Sequence, residues 1–173
     1  MSDENIKRVY QIAEYQINIK GETINILTQD EIKNLCIKKG TLTEEERQII
    51  NNHAKLSYDI LNSLPFPSKY KRVPEIAASH HEKINGEGYP LGLKGDQISF
   101  EARIIAIADI FESLTAPDRP YKKPNTIKQS LRILNFMVKD GELDEGLVNF
   151  FIQKKLYLDY AKNNLSENQI NTI

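Results

Sequence analysis

Residues 99–115 read SFEARIIAIADIFESLT. Ser99 suits a helix N-cap, because its hydroxyl can accept from the free N–H groups of a first turn. Behind it come Ala102, Ile104, Ile105, Ala106, Ile107, Ala108, Ile110, Phe111 and Leu114, with no helix breaker among them. The run predicts a helix to about Thr115 that is apolar nearly all round, and such a helix is expected to be buried at the centre of a domain. One residue breaks the pattern. An isolated ionised carboxylate at Asp109 would be costly there unless paired or bound to a metal. Two readings are open: an aspartate bonded to a backbone amide or a buried arginine, for which Arg103 is available, and a metal ligand.

Outward from this helix, the pattern stays helical. Downstream, Asp118 to Pro124 is turn-rich, and helices are expected over Thr126 to Lys139 and Asp144 to Tyr160. The polar tail after Asn163 is expected to fray. Upstream lies a loop rich in Gly and Pro, from Asn85 to Gly95, preceded by a helix over about Pro74 to Glu82. Thr43 with Glu46 forms a capping-box signature and opens a longer helix to about Leu64. Its expected apolar face carries Ile49, Ile50, His53, Leu56, Ser57, Ile60, Leu61 and Leu64, and Pro65 and Pro67 end it. Thr28 with Glu31 repeats the signature for a helix to about Lys38, closed by Gly40. Ile17 to Ile26 alternates around Lys20-Gly21-Glu22 and predicts a small β-hairpin. Asn5 to Tyr15 reads as a first helix. The expected fold class is all-α with one small hairpin.

Composition narrows the function. In 173 residues, Lys and Arg number 23 and Asp and Glu 24, so no basic excess marks a duplex nucleic-acid binder. An anionic ligand must be held by a local cluster. Cys36 is the only cysteine, so no internal disulfide forms and a reducing cytoplasm is expected. The start, MSDENIKRVY, has no signal-peptide pattern, and no apolar run approaches the roughly 20 residues that span a bilayer.

Three histidines occur: His53, His80 and His81, each in or beside an apolar helical stretch. A histidine in such a place is ordinarily a core residue with a satisfied hydrogen bond. Two adjacent histidines and a carboxylate in an apolar helix also fit a site for a first-row metal. Neighbours on a helix diverge by about 100°, so His80 and His81 are expected to serve two adjacent metals rather than one. Such a binuclear centre activates water and holds phosphate. The loop that follows, Asn85-Gly86-Glu87-Gly88-Tyr89-Pro90, could present Tyr89 for stacking on a base. The same loop is also an ordinary structural turn.

HHEKINGEGYP at 80–90, GLKGDQI at 92–98, ARIIAIADIF at 102–111, LT at 114–115 and RPYK at 119–122 stand in order. This set resembles the signature of the HD-GYP family, and GTLTEEE at 40–46 followed by His53 resembles its upstream segment. The resemblance covers roughly residues 40 to 150. It implies an HD-superfamily helical bundle, present here in part, and a site of two or three divalent transition metals, iron or manganese foremost. It implies hydrolysis of cyclic di-GMP in bacterial signalling. It places His53, His80, His81 and Asp109 as metal ligands and Tyr89, Arg119 and Lys122 at the substrate. It makes Glu82 an orienting neighbour of a ligand histidine.

The departures weigh against activity of this chain alone. No His-Asp dipeptide occurs in it, nor the lysine that follows that pair in the family. Residues 1–39 resemble an insert of one subgroup, 40–163 the HD-GYP core and 164–173 a polar tail. An extra residue near Ala116-Pro117-Asp118 shifts the spacing to Arg119. The chain is therefore expected to be a fragment of a longer signalling protein, with a sensory or regulatory domain upstream, or a naturally short relative. On its own it is expected to be inactive and, with apolar surface left over, prone to self-association. The alternative is a non-catalytic module that binds a nucleotide or a partner protein.

Overall fold

The computed structural model describes residues 1–38, 40–117 and 123–170. It divides into two compact units, residues 1–51 and 52–173. The order of elements is α1 (Asp3–Ala13), β1 (Gln16–Ile19), β2 (Glu22–Asn25), α2 (Gln29–Leu35), α3 (Glu44–Asn62), α4 (Val73–Ala78), α5 (Phe100–Thr115), α6 (Ile127–Lys139), α7 (Glu145–Gln153), α8 (Tyr157–Asn164) and α9 (Glu167–Ile170). The fold is all-α apart from one antiparallel hairpin.

In the first unit the local chemistry sets the boundaries. The hairpin pairs Ile17 with Ile24 and Asn18 with Thr23. Its two-residue turn needs positive φ at both positions, which Lys20 at 56° and Gly21 at 93° supply. Thr28 and Glu31 close a reciprocal capping box on α2. Thr43 and Glu46 do the same at the start of α3, with the Thr43 N–H donating to Glu46 Oε2 at 2.8 Å.

The second unit holds the main core. Ala106, Ile107 and Phe111 of α5 pack with Ile127, Leu134, Leu143, Val148, Tyr157 and Ala161. Phe111, Phe151 and Tyr157 are mutually in ring contact. α5 is not buried all round, contrary to the expectation from its composition. Ala102, Ala106, Ile107, Phe111 and Thr115 form its buried stripe, while Phe100, Ile104, Ile105 and Ala108 are exposed. The described elements that pack against it, chiefly α6 with α4 and α7, leave those residues uncovered. The apolar face expected of α3 is likewise exposed at Ile49, Ile50, Leu56 and Ile60, and only Ala54 of that helix is buried.

Three further expectations are corrected. The helix before the histidine pair ends at Ala78, so His80 and His81 lie in the turn beyond it. The single helix expected from Asp144 to Tyr160 is two, α7 and α8, because Lys155 turns left-handed with φ of 51°. The C-terminal tail does not fray from Asn163. α9 follows, and Gln169 is buried, donating to the Thr115 carbonyl at 2.9 Å and the Asn125 carbonyl at 3.0 Å. No helix among the described residues is long and apolar enough to cross a membrane.

Candidate metal centre

α3 carries His53, the turn after α4 carries His80 and His81, and α5 carries Asp109. All four belong to the second unit. One ligating atom from each of the three histidines lies within 4.8 Å of the others. His81 Nε2 is 2.9 Å from His53 Nε2. Two nitrogens each about 2.05 Å from one ion, at right angles, are also about 2.9 Å apart. The donor set therefore fits a divalent metal.

Leaving the helix changes the geometry of the adjacent pair. The His80 and His81 rings lie side by side, with centroids 3.9 Å apart and planes tilted by 40°. The divergence expected of helical neighbours is absent, so the inference that they must serve separate metals does not hold. His80 Nδ1 donates to the Ala77 carbonyl at 2.6 Å. A carbonyl can only accept, so the proton sits on Nδ1 and the Nε2 lone pair is free to ligate. The residue that orients this histidine is thus a backbone carbonyl, which no side-chain motif could announce.

Burial, with the positive charge that His80 and His53 would add nearby, lowers the His81 pKa to about 4; Asp109 opposes the shift. At neutral pH the imidazole is uncharged, and one of its two ring nitrogens has a lone pair available to a metal. Asp109 Oδ2 stands 4.0 Å from His81 Nδ1, outside hydrogen-bond reach but close enough to act through charge. The Asp109 side chain is 42% exposed, not the sequestered carboxylate its neighbours suggested. Nor is it paired with Arg103. That guanidinium donates to Asp144 and Asp96, each at 3.1 Å, and to the carbonyls of Ile98 and Gly95.

Tyr89 completes the described site. Its ring centroid is 4.8 Å from that of His81 and 6.4 Å from that of His53. Burial first, and the Asp109 charge second, raise its phenol pKa, so it remains a hydroxyl. Glu82, expected to orient a ligand histidine, sends both side-chain oxygens to the loop backbone. Its two oxygens accept from the backbone N–H groups of Leu91 and Leu93, at 2.7 and 2.8 Å. The bland features of the sequence, the amides of two leucines, explain this buried acid. Arg119 and Lys122 lie outside the described residues.

The second unit thus brings His53, His80 and His81 within reach of one ion, with Asp109 beside the other nitrogen of His81. The chain belongs to the HD domain family, whose pattern matches residues 7–147, and its motifs are of the HD-GYP type. It is 42% identical over 97 residues to 3'3'-cGAMP-specific phosphodiesterase 3 of Vibrio cholerae, covering 56% of this chain and 20% of that protein. It is 39% identical over 101 residues to the cyclic di-GMP phosphodiesterase response regulator RpfG of Xanthomonas campestris, covering 58% and 26%. It is 34% identical over 135 residues to a probable cyclic di-GMP phosphodiesterase of Vibrio cholerae, covering 75% and 30%. The chain therefore spans less than a third of the length of these relatives.

Proposed function

We propose that this chain is the metal-binding portion of a phosphodiesterase that hydrolyses cyclic di-GMP in bacterial signalling. The observation that carries the reading is the cluster of His53, His80 and His81 with the Tyr89 ring beside it. The relatives named as phosphodiesterases of cyclic dinucleotides support the substrate class. His53, His80 and His81 would hold one metal, and Asp109, on the far nitrogen side of His81, would offer its carboxylate to an adjacent ion. Iron or manganese, two or three ions in a complete site, suits imidazole and carboxylate donors. The bound metal supplies an activated water and neutralises phosphate charge. Arg119 and Lys122 would grip the phosphate oxygens. Tyr89 would lie against the nucleotide.

Hydrolysis belongs, in this reading, to a longer protein that includes a His-Asp pair and a sensory or regulatory domain, acting in the cytoplasm. The chain alone would bind metal weakly and turn over little substrate. Its uncovered apolar face supports self-association: Phe100, Ile104, Ala108, Leu147, Phe150 and Leu156 line a groove of ≈ 650 Å³ on α5 and α7.

The test is metal content after loading with manganese, iron or zinc, followed by chromatography of cyclic di-GMP and cyclic GMP-AMP digests. The proposal expects bound metal that disappears in His81→Ala, and cleavage only when upstream His-Asp residues are present. A nucleotide bound but never cleaved, even with those residues supplied, identifies the non-catalytic module instead. Undiminished metal in the His81→Ala protein refutes the site.

A further inference from the structure

We infer that Glu82 is a positioning residue for the nucleotide side of the site: its carboxylate holds the loop through Leu93 so that Tyr89 lies against His81. The consequence for substrate rests on the function proposed above, whereas the geometry stands by itself.

Glu82 is 4% exposed. A buried carboxylate that makes no ion pair with any described residue needs hydrogen-bond donors around it. Here the donors are the Leu91 and Leu93 N–H groups, at 2.7 and 2.8 Å, one to each oxygen. Both lie just past Tyr89-Pro90, so a single side chain ties the far limb of the loop back to the residue that follows the histidine pair. The near limb is fixed by backbone. The Tyr89 N–H donates to the His81 carbonyl at 3.3 Å. Gly88 passes so close to Glu82 and Lys83 that a Cβ there would collide with their backbone. Next to Glu82, Lys83 Nζ is anchored to Glu142 at 2.7 Å, and the Ile84 N–H donates to the Glu142 carbonyl at 3.0 Å.

The loop is thereby closed on both sides of Tyr89, and the ring has one place to go: 4.8 Å from His81, planes inclined by 31°. Without the Glu82 bonds the limb from Pro90 to Leu93 loses its attachment to the metal-bearing turn, and the ring loses its fixed distance from the cluster. Glu82 therefore acts on substrate through Tyr89, and not on metal through a histidine.

Glu82→Gln tests this, because the side-chain amide turns an N–H toward one of the two backbone donors and breaks that bond while preserving volume. Four measurements on the full chain decide the matter. The nuclear Overhauser contact between the Tyr89 and His81 rings should weaken in the variant. Exchange of the Leu91 and Leu93 amides should quicken. Manganese content after loading should stay at the level of the unaltered protein. Affinity for cyclic di-GMP should fall roughly tenfold, the effect of one hydrogen bond to a charged group, and this loss should vanish in a Tyr89→Ala background.

An unchanged ring contact with unchanged amide exchange overturns the inference. So does a loss of manganese, or an effect fully additive with Tyr89→Ala. If neither protein binds cyclic di-GMP even with the upstream His-Asp residues supplied, the proposed function fails, and the ring contact and amide exchange still judge the role of Glu82. Should Glu82→Gln not fold, exchange in the unaltered protein decides: Leu91 and Leu93 amides as fast as open loop would overturn it, and protection would uphold it.

Discussion

Replacing Gln169 by leucine is expected to destabilise the second unit by a measurable and bounded amount. The Gln169 side-chain amide donates to the carbonyls of Thr115 and Asn125, joining the end of α5 to the segment just before α6. Its oxygen accepts from the N–H and hydroxyl of Ser166. Thr115 is fully buried and Gln169 is 6% exposed. Leucine keeps the volume and removes both donors. An orphaned buried carbonyl costs about 1–3 kcal/mol, and the less buried Asn125 carbonyl lies toward the bottom of that range. The apolar leucine end returns about 1 kcal/mol through its own burial. The net loss is about 1–3 kcal/mol, which for a unit of this size lowers Tm by roughly 5–12 °C. Thermal melts followed by circular dichroism at matched concentration measure it. Gln169→Glu should be worse at neutral pH, because a carboxylate would face two carbonyl oxygens, and should recover in part near pH 4. If the leucine variant melts within about 1 °C of the unaltered protein, the tail is not fastened as described and the reasoning fails.

Other expectations follow from the site and its supports. Burial holds the His81 pKa near 4 against an ordinary 6.5, so between these values the unfolded chain takes up a proton that the folded chain refuses. Stability of the metal-free protein should therefore be full above pH 6.5 and decline toward pH 4, by roughly 1–3 kcal/mol after allowance for its partial exposure. A His81→Gln protein whose urea midpoint falls just as steeply over that range would contradict the assignment. Arg103, 17% exposed, joins Asp144 to the 95–98 turn. Arg103→Met should cost about 2–4 kcal/mol in urea unfolding, since it leaves two carbonyls and a half-buried carboxylate without their donor. Gly88→Ala should shift the Tyr89 and His81 ring resonances while leaving those of the α6–α7 core unmoved, because the collision it creates is confined to the loop backbone. Arg119→Ala should lower kcat/KM of the longer enzyme roughly tenfold or more with metal content intact; unchanged kinetics would leave that arginine without a role at the phosphate.

The helices were legible because their signals are local. Thr28 with Glu31, Thr43 with Glu46, Ser99 and Thr126 cap the elements they begin, each through a bond to a residue within four positions. The hairpin turn is set locally by Lys20 and Gly21, with the Gly21 N–H donating to Asn18 Oδ1. The same locality made residue identities at the site readable: two adjacent histidines, a third on a helix, an aspartate in an apolar run. What one sequence could not state is which face of an apolar helix finds a neighbour. α5 and α3 carry apolar residues that remain exposed, because burial depends on what packs against a helix and not on its composition. Sequence likewise ran α4 through the histidine pair, where a helical 100° divergence would part the rings. Tertiary structure ends that helix at Ala78, fixes His80 through the Ala77 carbonyl and turns both rings toward His53. The bonds of Glu82 and Gln169 could not be foreseen for one reason: these partners are backbone groups, which every residue possesses and no residue name reveals. The sequence by itself determined the helical class and the chemistry available to the site; only the long-range backbone contacts decided where that chemistry points.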